Sequence, residues 1–183
     1  MRRVITAAVA VLMACGGVRA EVPKKKDVPK YIKQLKSAAS AKVRAEAAEA
    51  LGHRGAIRQA DVKDAVEPLL NALKNDRDPN VRKAAAEALG RIGPDKEVVV
   101  KPLMAALEDK AIQVRIGAAN GLGMLGPDAR GAVPALRKLF QAARMEAQKN
   151  RKAKKKDKSA QLQGQLARAA GMALRSIGGK FKK

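Results

Sequence analysis

The chain repeats one ten-residue phrase three times: VRAEAAEALG at 43–52, VRKAAAEALG at 81–90 and VRIGAANGLG at 114–123. Self-similarity at such spacings, 38 and then 33 residues, implies supersecondary units that must stack to bury their apolar sides. The middle unit, VEPLLNALKNDRDPNVRKAAAEALGRIG (66–93), shows what one unit is. Val66, Leu69, Leu70 and Leu73 form one apolar stripe, and Val81, Ala84, Ala85, Ala88, Leu89 and Ile92 form another, both at helical spacing. Asp78, Pro79 and Asn80 end one helix and open the next, and Gly93 before Pro94 closes the second. The unit is a helical hairpin that needs neighbours of its own kind.

Those neighbours flank it. Val28 to Gly52 superposes on 66–90 without a gap, so Tyr31, Ile32 and Leu35 fall on Leu69, Leu70 and Leu73. Residues 99–126 give a third copy, with Leu103, Met104 and Leu107 in the first stripe and Val114, Ala118, Leu122 and Leu125 in the second. A fourth copy is split: Val133, Leu136 and Leu139 open it, and its second helix returns only at Leu166, with Leu174 and Ile177 in register. About twenty residues separate the halves beyond the spacing of the third copy. The added stretch lacks Pro and Gly and is rich in helix formers, so it is expected to extend the helix and fray near Lys156. The resulting layout is a leader (1–20), a linker (21–27), hairpins at 28–55, 65–93, 98–126 and 131–178 with a basic insertion at 144–160, and a basic tail (179–183).

The VR…LG phrases, with EPLLNAL (67–73) and KPLMAAL (101–107) ahead of two of them, resemble the HEAT repeat in the short form first described in phycobilisome (PBS) lyases. The resemblance implies an all-α fold, an α-solenoid of about four stacked hairpins with a long basic helical extension in the last. For function it implies a non-enzymatic scaffold that binds a protein partner. Arg44, Arg82 and Arg115 each follow the valine of a second helix. As in HEAT proteins generally, they are expected to form a structural ladder with turn carboxylates such as Asp76, Asp78 and Asp109 of adjacent layers.

The first twenty residues have the order of an export signal: Arg2 and Arg3, an apolar run from Val4 to Ala14, and a small-residue site ending at Ala20. Leu12-Met13-Ala14-Cys15 also resembles a bacterial lipobox, in which Cys15 is lipidated and becomes the N-terminus. Either route gives an exported chain, periplasmic or secreted, or lipid-anchored through Cys15. The apolar run is short for a membrane span, and no other stretch approaches one. A single cysteine excludes an intramolecular disulfide and any multi-cysteine metal site.

Charge is the strongest functional signal. Lys and Arg outnumber Asp and Glu by 39 to 17, for a formal net charge of +22. Solubility needs a magnitude of roughly 2–8 in a small domain, so the excess points to an anionic partner. The candidate binding residues lie in the insertion: Arg144, Lys149, Arg151, Lys152, Lys154, Lys155, Lys156 and Lys158, against Glu146 and Asp157. For an exported chain the partner is a protein, an acidic polymer or an anionic membrane surface; nucleic acid becomes first choice only if the chain stays inside the cell. Tyr31, Phe140 and Phe181 are the only aromatics, leaving little for base stacking.

Catalytic signatures are missing. There is no Gly-rich phosphate loop, nucleophile elbow or Ser/His/Asp set. The lone histidine, His53, is expected at the surface or as a helix C-terminal cap. HEAT-like deoxyhypusine hydroxylases carry His-Glu pairs ahead of A-x-x-L-G, where this chain has Ala45-Glu46, Lys83-Ala84 and Ile116-Gly117. One glutamate cannot hold two irons. No catalytic, cofactor-binding or metal-binding residue is therefore assigned. The alternative is a PBS-lyase-like enzyme or enzyme subunit acting on a bound prosthetic group. That reading needs convergent polar groups in a closed cleft, whereas a scaffold presents an open, alanine-rich groove.

Overall fold

A computed structural model describes residues 23–93, 96–153 and 157–178; the leader with Cys15, the lysines at 154–156 and the tail lie outside them. Among the described residues all regular structure is helical: α1 (Val28–Ser37), α2 (Ala41–Ile57), α3 (Val66–Asn75), α4 (Pro79–Ile92), α5 (Lys96–Ala106), α6 (Ile112–Leu125), α7 (Val133–Lys152) and α8 (Lys158–Gly178). Short 3-10 segments, Gln59–Ala65 and Gly126–Ala132, lead into α3 and α7. Consecutive helices pair as four antiparallel hairpins. The second helices α2, α4, α6 and α8 pack in one continuous row, while α1, α3 and α5 form a looser row beside it. The fold is an all-α solenoid.

Local chemistry sets the joints. Asp78 is the N-cap of α4, its Oδ1 accepting the Asn80 N–H at 2.7 Å, with Pro79 in the first turn where its missing N–H costs nothing. Gly93 ends α4 at φ +54°, a left-handed conformation that glycine adopts without a Cβ penalty. In α5 the repeat's proline, Pro102, sits inside the helix, because α5 begins several residues ahead of the register set by α3.

The row of second helices is held by very close approach. A Cβ on Gly52 would lie 2.8 Å from Ala88 Cα, and one on Gly90 would lie 2.4 Å from Gly121 Cα. Backbone packs on backbone there, with alanines around it, and Leu51, Leu89 and Leu122 fill each layer as fully buried knobs. Leu103 and Leu136 supply the matching apolar faces of α5 and α7.

The fourth hairpin carries the expected long basic helical extension, and the added residues lengthen α8 as well as α7: α7 runs to Lys152 and α8 already starts at Lys158. The fraying expected near Lys156 lies outside the described residues. The reversal has a cause: Asp157 accepts the Ala160 N–H at 2.8 Å, an N-cap that nucleates α8 at the end of the lysine run. Ala143 and Asn150 of α7 and Leu166 of α8 are buried, and Leu162 packs against the core, so part of the insertion belongs to the packed structure.

Two substitutions test this packing in opposite directions. Gly90→Ala should destabilise the protein by about 1–3 kcal/mol, since its methyl can only displace backbone. Gly164→Ala, on α8 with nothing within 4 Å of the new methyl, should stabilise by about 0.5–1 kcal/mol through helix propensity. Leu89→Ala should cost about 2–5 kcal/mol. Urea unfolding measures all three.

Candidate functional site

Two of the three ladder arginines have their acids. Arg44 donates from Nε and Nη2 to the two oxygens of Asp76 at 2.7 and 2.9 Å, and from Nη1 to the carbonyls of Ala38 and Ala39. Arg82 repeats this on Asp109, both contacts at 2.8 Å, with Nη1 on the carbonyl of Asp76. Each arginine therefore closes its own hairpin turn and grips the next, in the bidentate geometry that suits guanidinium and carboxylate. Asp78 is not a rung; capping α4 occupies its Oδ1.

Arg115 differs. Its Nε is buried without a hydrogen-bond partner among the described residues, and no carboxylate there lies within salt-bridge distance. The physical reason is the insertion. In the register of Asp109 the fourth copy has Ala142, inside α7, because the α7–α8 turn has moved to the far end of the lengthened hairpin.

The paired groups are shifted accordingly. Arg44 and Arg82 are held above the ordinary arginine value, chiefly by their hydrogen bonds to Asp76 and Asp109. Burial pushes Asp76 up, but hydrogen bonds from Arg44 and the Asp78 N–H, with the charges of Arg44 and Arg77, bring it below the usual carboxylate value. Asp109 is lowered chiefly by the hydrogen bond from Arg82, against an opposing burial effect. His53 is exposed on α2 and lowered by partial burial and then by the charge of Arg91, with Glu49 opposing.

The basic candidates project from the last hairpin. Arg144, Lys149 and Arg151 are exposed along α7, and Lys158 is exposed at the start of α8. Lys152 ends α7, and Lys154, Lys155 and Lys156 lie outside the described residues. Lys149 borders a groove with Met145, Gln148 and Ala153. Arg168 and Arg175 of α8 join Arg144 along a second groove; both are absent from the sequence-based candidate set. A signal for Arg175 was present: it stands where the repeats otherwise carry Gly52, Gly90 and Gly123.

With this geometry in place, residues 28–100 match the family model for HEAT repeats. Residues 28–100 are HEAT repeats. The match spans α1 to α4 and the start of α5, and the same stacking of second helices continues through α6 and α8. No curated protein matches the chain. Among the described residues no helix is long and apolar enough to cross a membrane, and no three His, Cys, Asp or Glu side chains group as a metal site.

The HEAT ladder gives a pH test. A carboxylate lowered in the folded state stabilises above its unfolded value, about 3.9, and that stabilisation is lost as pH falls through the folded value. Thermal stability should therefore drop below about pH 4. The Asp76→Asn/Asp109→Asn variant should start less stable at neutral pH and lose less on acidification. Parallel melting curves for the two proteins would contradict the ladder's role.

Proposed function

We propose that this HEAT-repeat chain is an exported, non-enzymatic interaction scaffold that holds an anionic partner on its last hairpin. The observation that carries the reading is the concentration of charge there. Residues 133–178 contain twelve Lys and Arg against Glu146 and Asp157 alone. Their side chains on α7 and α8 that are described, from Arg137 to Arg175, are all exposed. HEAT repeats commonly serve protein interactions, which agrees with a scaffold role. The export half rests on the leader, and the mature chain begins at Glu21 or at a lipidated Cys15.

The grooves between helices support a scaffold better than a lyase-like enzyme. The one beside Met124 and Met172 is open and floored by Ala119, Gly123, Ala169 and Ala173, a surface for laying down a chain. Flexible methionines suit such contacts.

The test replaces Lys149, Arg151 and Lys158 with glutamine and measures heparin binding across a salt series. Binding should weaken and its salt dependence flatten, because exposed charges act over a Debye length of about 10 Å at 0.1 M, while the melting temperature stays within a few degrees. Unchanged binding would reduce the hairpin to a solvated face. Intact mass of envelope-derived protein checks export; a full-length cytoplasmic chain would make nucleic acid the first-choice partner.

A further inference from the structure

Among the described residues the row of second helices ends at α8, and the chemistry of that end differs from that of the joints inside the row. Within the row, one face of each second helix carries the next layer. On α4 that face includes Lys83, Ala86 and Gly90, which lie against Gly117 and Gly121 of α6. The same register on α8 holds Arg168, Gly171 and Arg175. Among the described residues no further hairpin covers them, and Phe140, in the register of the buried Leu73 and Leu107, is only half-buried. Phe140, Arg144, Arg168, Gly171, Met172 and Arg175 line a groove of about 430 Å³ between α7 and α8. Gly171 lets the Phe140 ring lie against α8: a Cβ there would be 3.2 Å from the ring. Met172 is 58% exposed on the rim. Among the described residues, no carboxylate pairs with any of the three arginines, and Arg168 Nε reaches only the carbonyl of Gly164 on its own helix, at 3.4 Å.

We infer that this end face is a docking site for an acidic amphipathic helix of a partner protein, lying where a fifth layer would stack. Three observations choose the occupant. The surface is a stacking face, shaped to receive a helix. Its rim is three guanidinium groups that no carboxylate pairs among the described residues, and guanidinium takes carboxylates bidentately. Its floor is apolar, so a ligand offering leucine or phenylalanine between two rows of Glu or Asp satisfies floor and rim together, in the manner of helix-in-groove recognition. A polyanion would engage the rim and gain nothing from Phe140 and Met172. Inside the row Gly90 admits the next backbone to van der Waals contact, whereas Arg175 in that register sets an exposed guanidinium between α8 and whatever stacks on it, so the occupant has to supply carboxylates there.

The inference rests on the scaffold reading and sharpens it to a partner class, and two sets of variants separate them. The probe is a synthetic helix of about twenty residues, long enough to hold helix on its own. A leucine stripe on it is flanked by glutamates, and the control peptide carries glutamines instead. Wild-type protein should bind the glutamate helix at least about tenfold more tightly than the control. Arg168→Gln/Arg175→Gln should lose that preference while keeping the melting temperature, since both side chains are exposed. The charge-reversed Arg168→Glu/Arg175→Glu should prefer a helix flanked by lysines. The inference is overturned if the preference survives in the glutamine variant, if it is lost instead with Lys149, Arg151 and Lys158, or if Arg168 and Arg175 govern binding to anionic vesicles and not to the peptide. Loss of heparin binding in the Lys149, Arg151 and Lys158 variant bears on the scaffold reading alone.

Discussion

Backbone contact between the second helices is the constraint on which the rest of this structure depends. Gly90 of α4 meets Gly121 of α6 at a distance no larger residue could occupy, and Gly52 meets Ala88 in the same way. Glycine and dense alanine in mid-helix weaken an isolated helix or leave it little to bury. They are tolerated here because close approach lets Leu51, Leu89 and Leu122 be fully enclosed. The near absence of aromatic residues follows from the same geometry, since helices this close leave no room for rings between them. Phe140 lies half-buried on α7, in the last hairpin among the described residues.

The arginine ladder adds register to this stack. Arg44 and Arg82 each join carbonyls of their own turn to a carboxylate of the next turn, so the two hairpins cannot slide without breaking several charge-assisted bonds. At the last junction the ladder is discontinued: the α7–α8 turn has moved away, and among the described residues no carboxylate pairs with Arg115. The fourth hairpin is thus attached by apolar packing of α8 on α6 and by the contacts of the Gly126–Ala132 segment with α5 and α8. It is longer than the other three, basic, and outside the ladder, which sets it apart from the three layers before it although the row of second helices runs on into it.

Much of this was legible in residue spacing. The stripes of Leu, Val and Ala, the Asp-Pro-Asn turn and the glycine stop foretell the hairpins and their stacking, because helical period and cap chemistry are local. Pairing of Arg44 with Asp76 and of Arg82 with Asp109 was within reach, since both acids sit at turn positions of the following repeat. The end of α7 was not. Asp157 lies in a run of lysines, and only the folded hairpin makes it an N-cap. The unpaired state of Arg115 was equally hidden, because it depends on where a distant turn goes. The end-face arginines were half visible: Arg175 replaces a repeat glycine, but its place on an end face follows only from α8 being the last helix of the row among the described residues.

The central claim is the proposal that the partner is held by the fourth hairpin and not by the three layers before it. Hydrogen–deuterium exchange of the protein with and without the glutamate-flanked helix tests it most directly. The account predicts added protection confined to α7 and α8, with exchange in α1 to α4 unchanged. Protection spread along α2 and α4, with α7 and α8 unaffected, would contradict it.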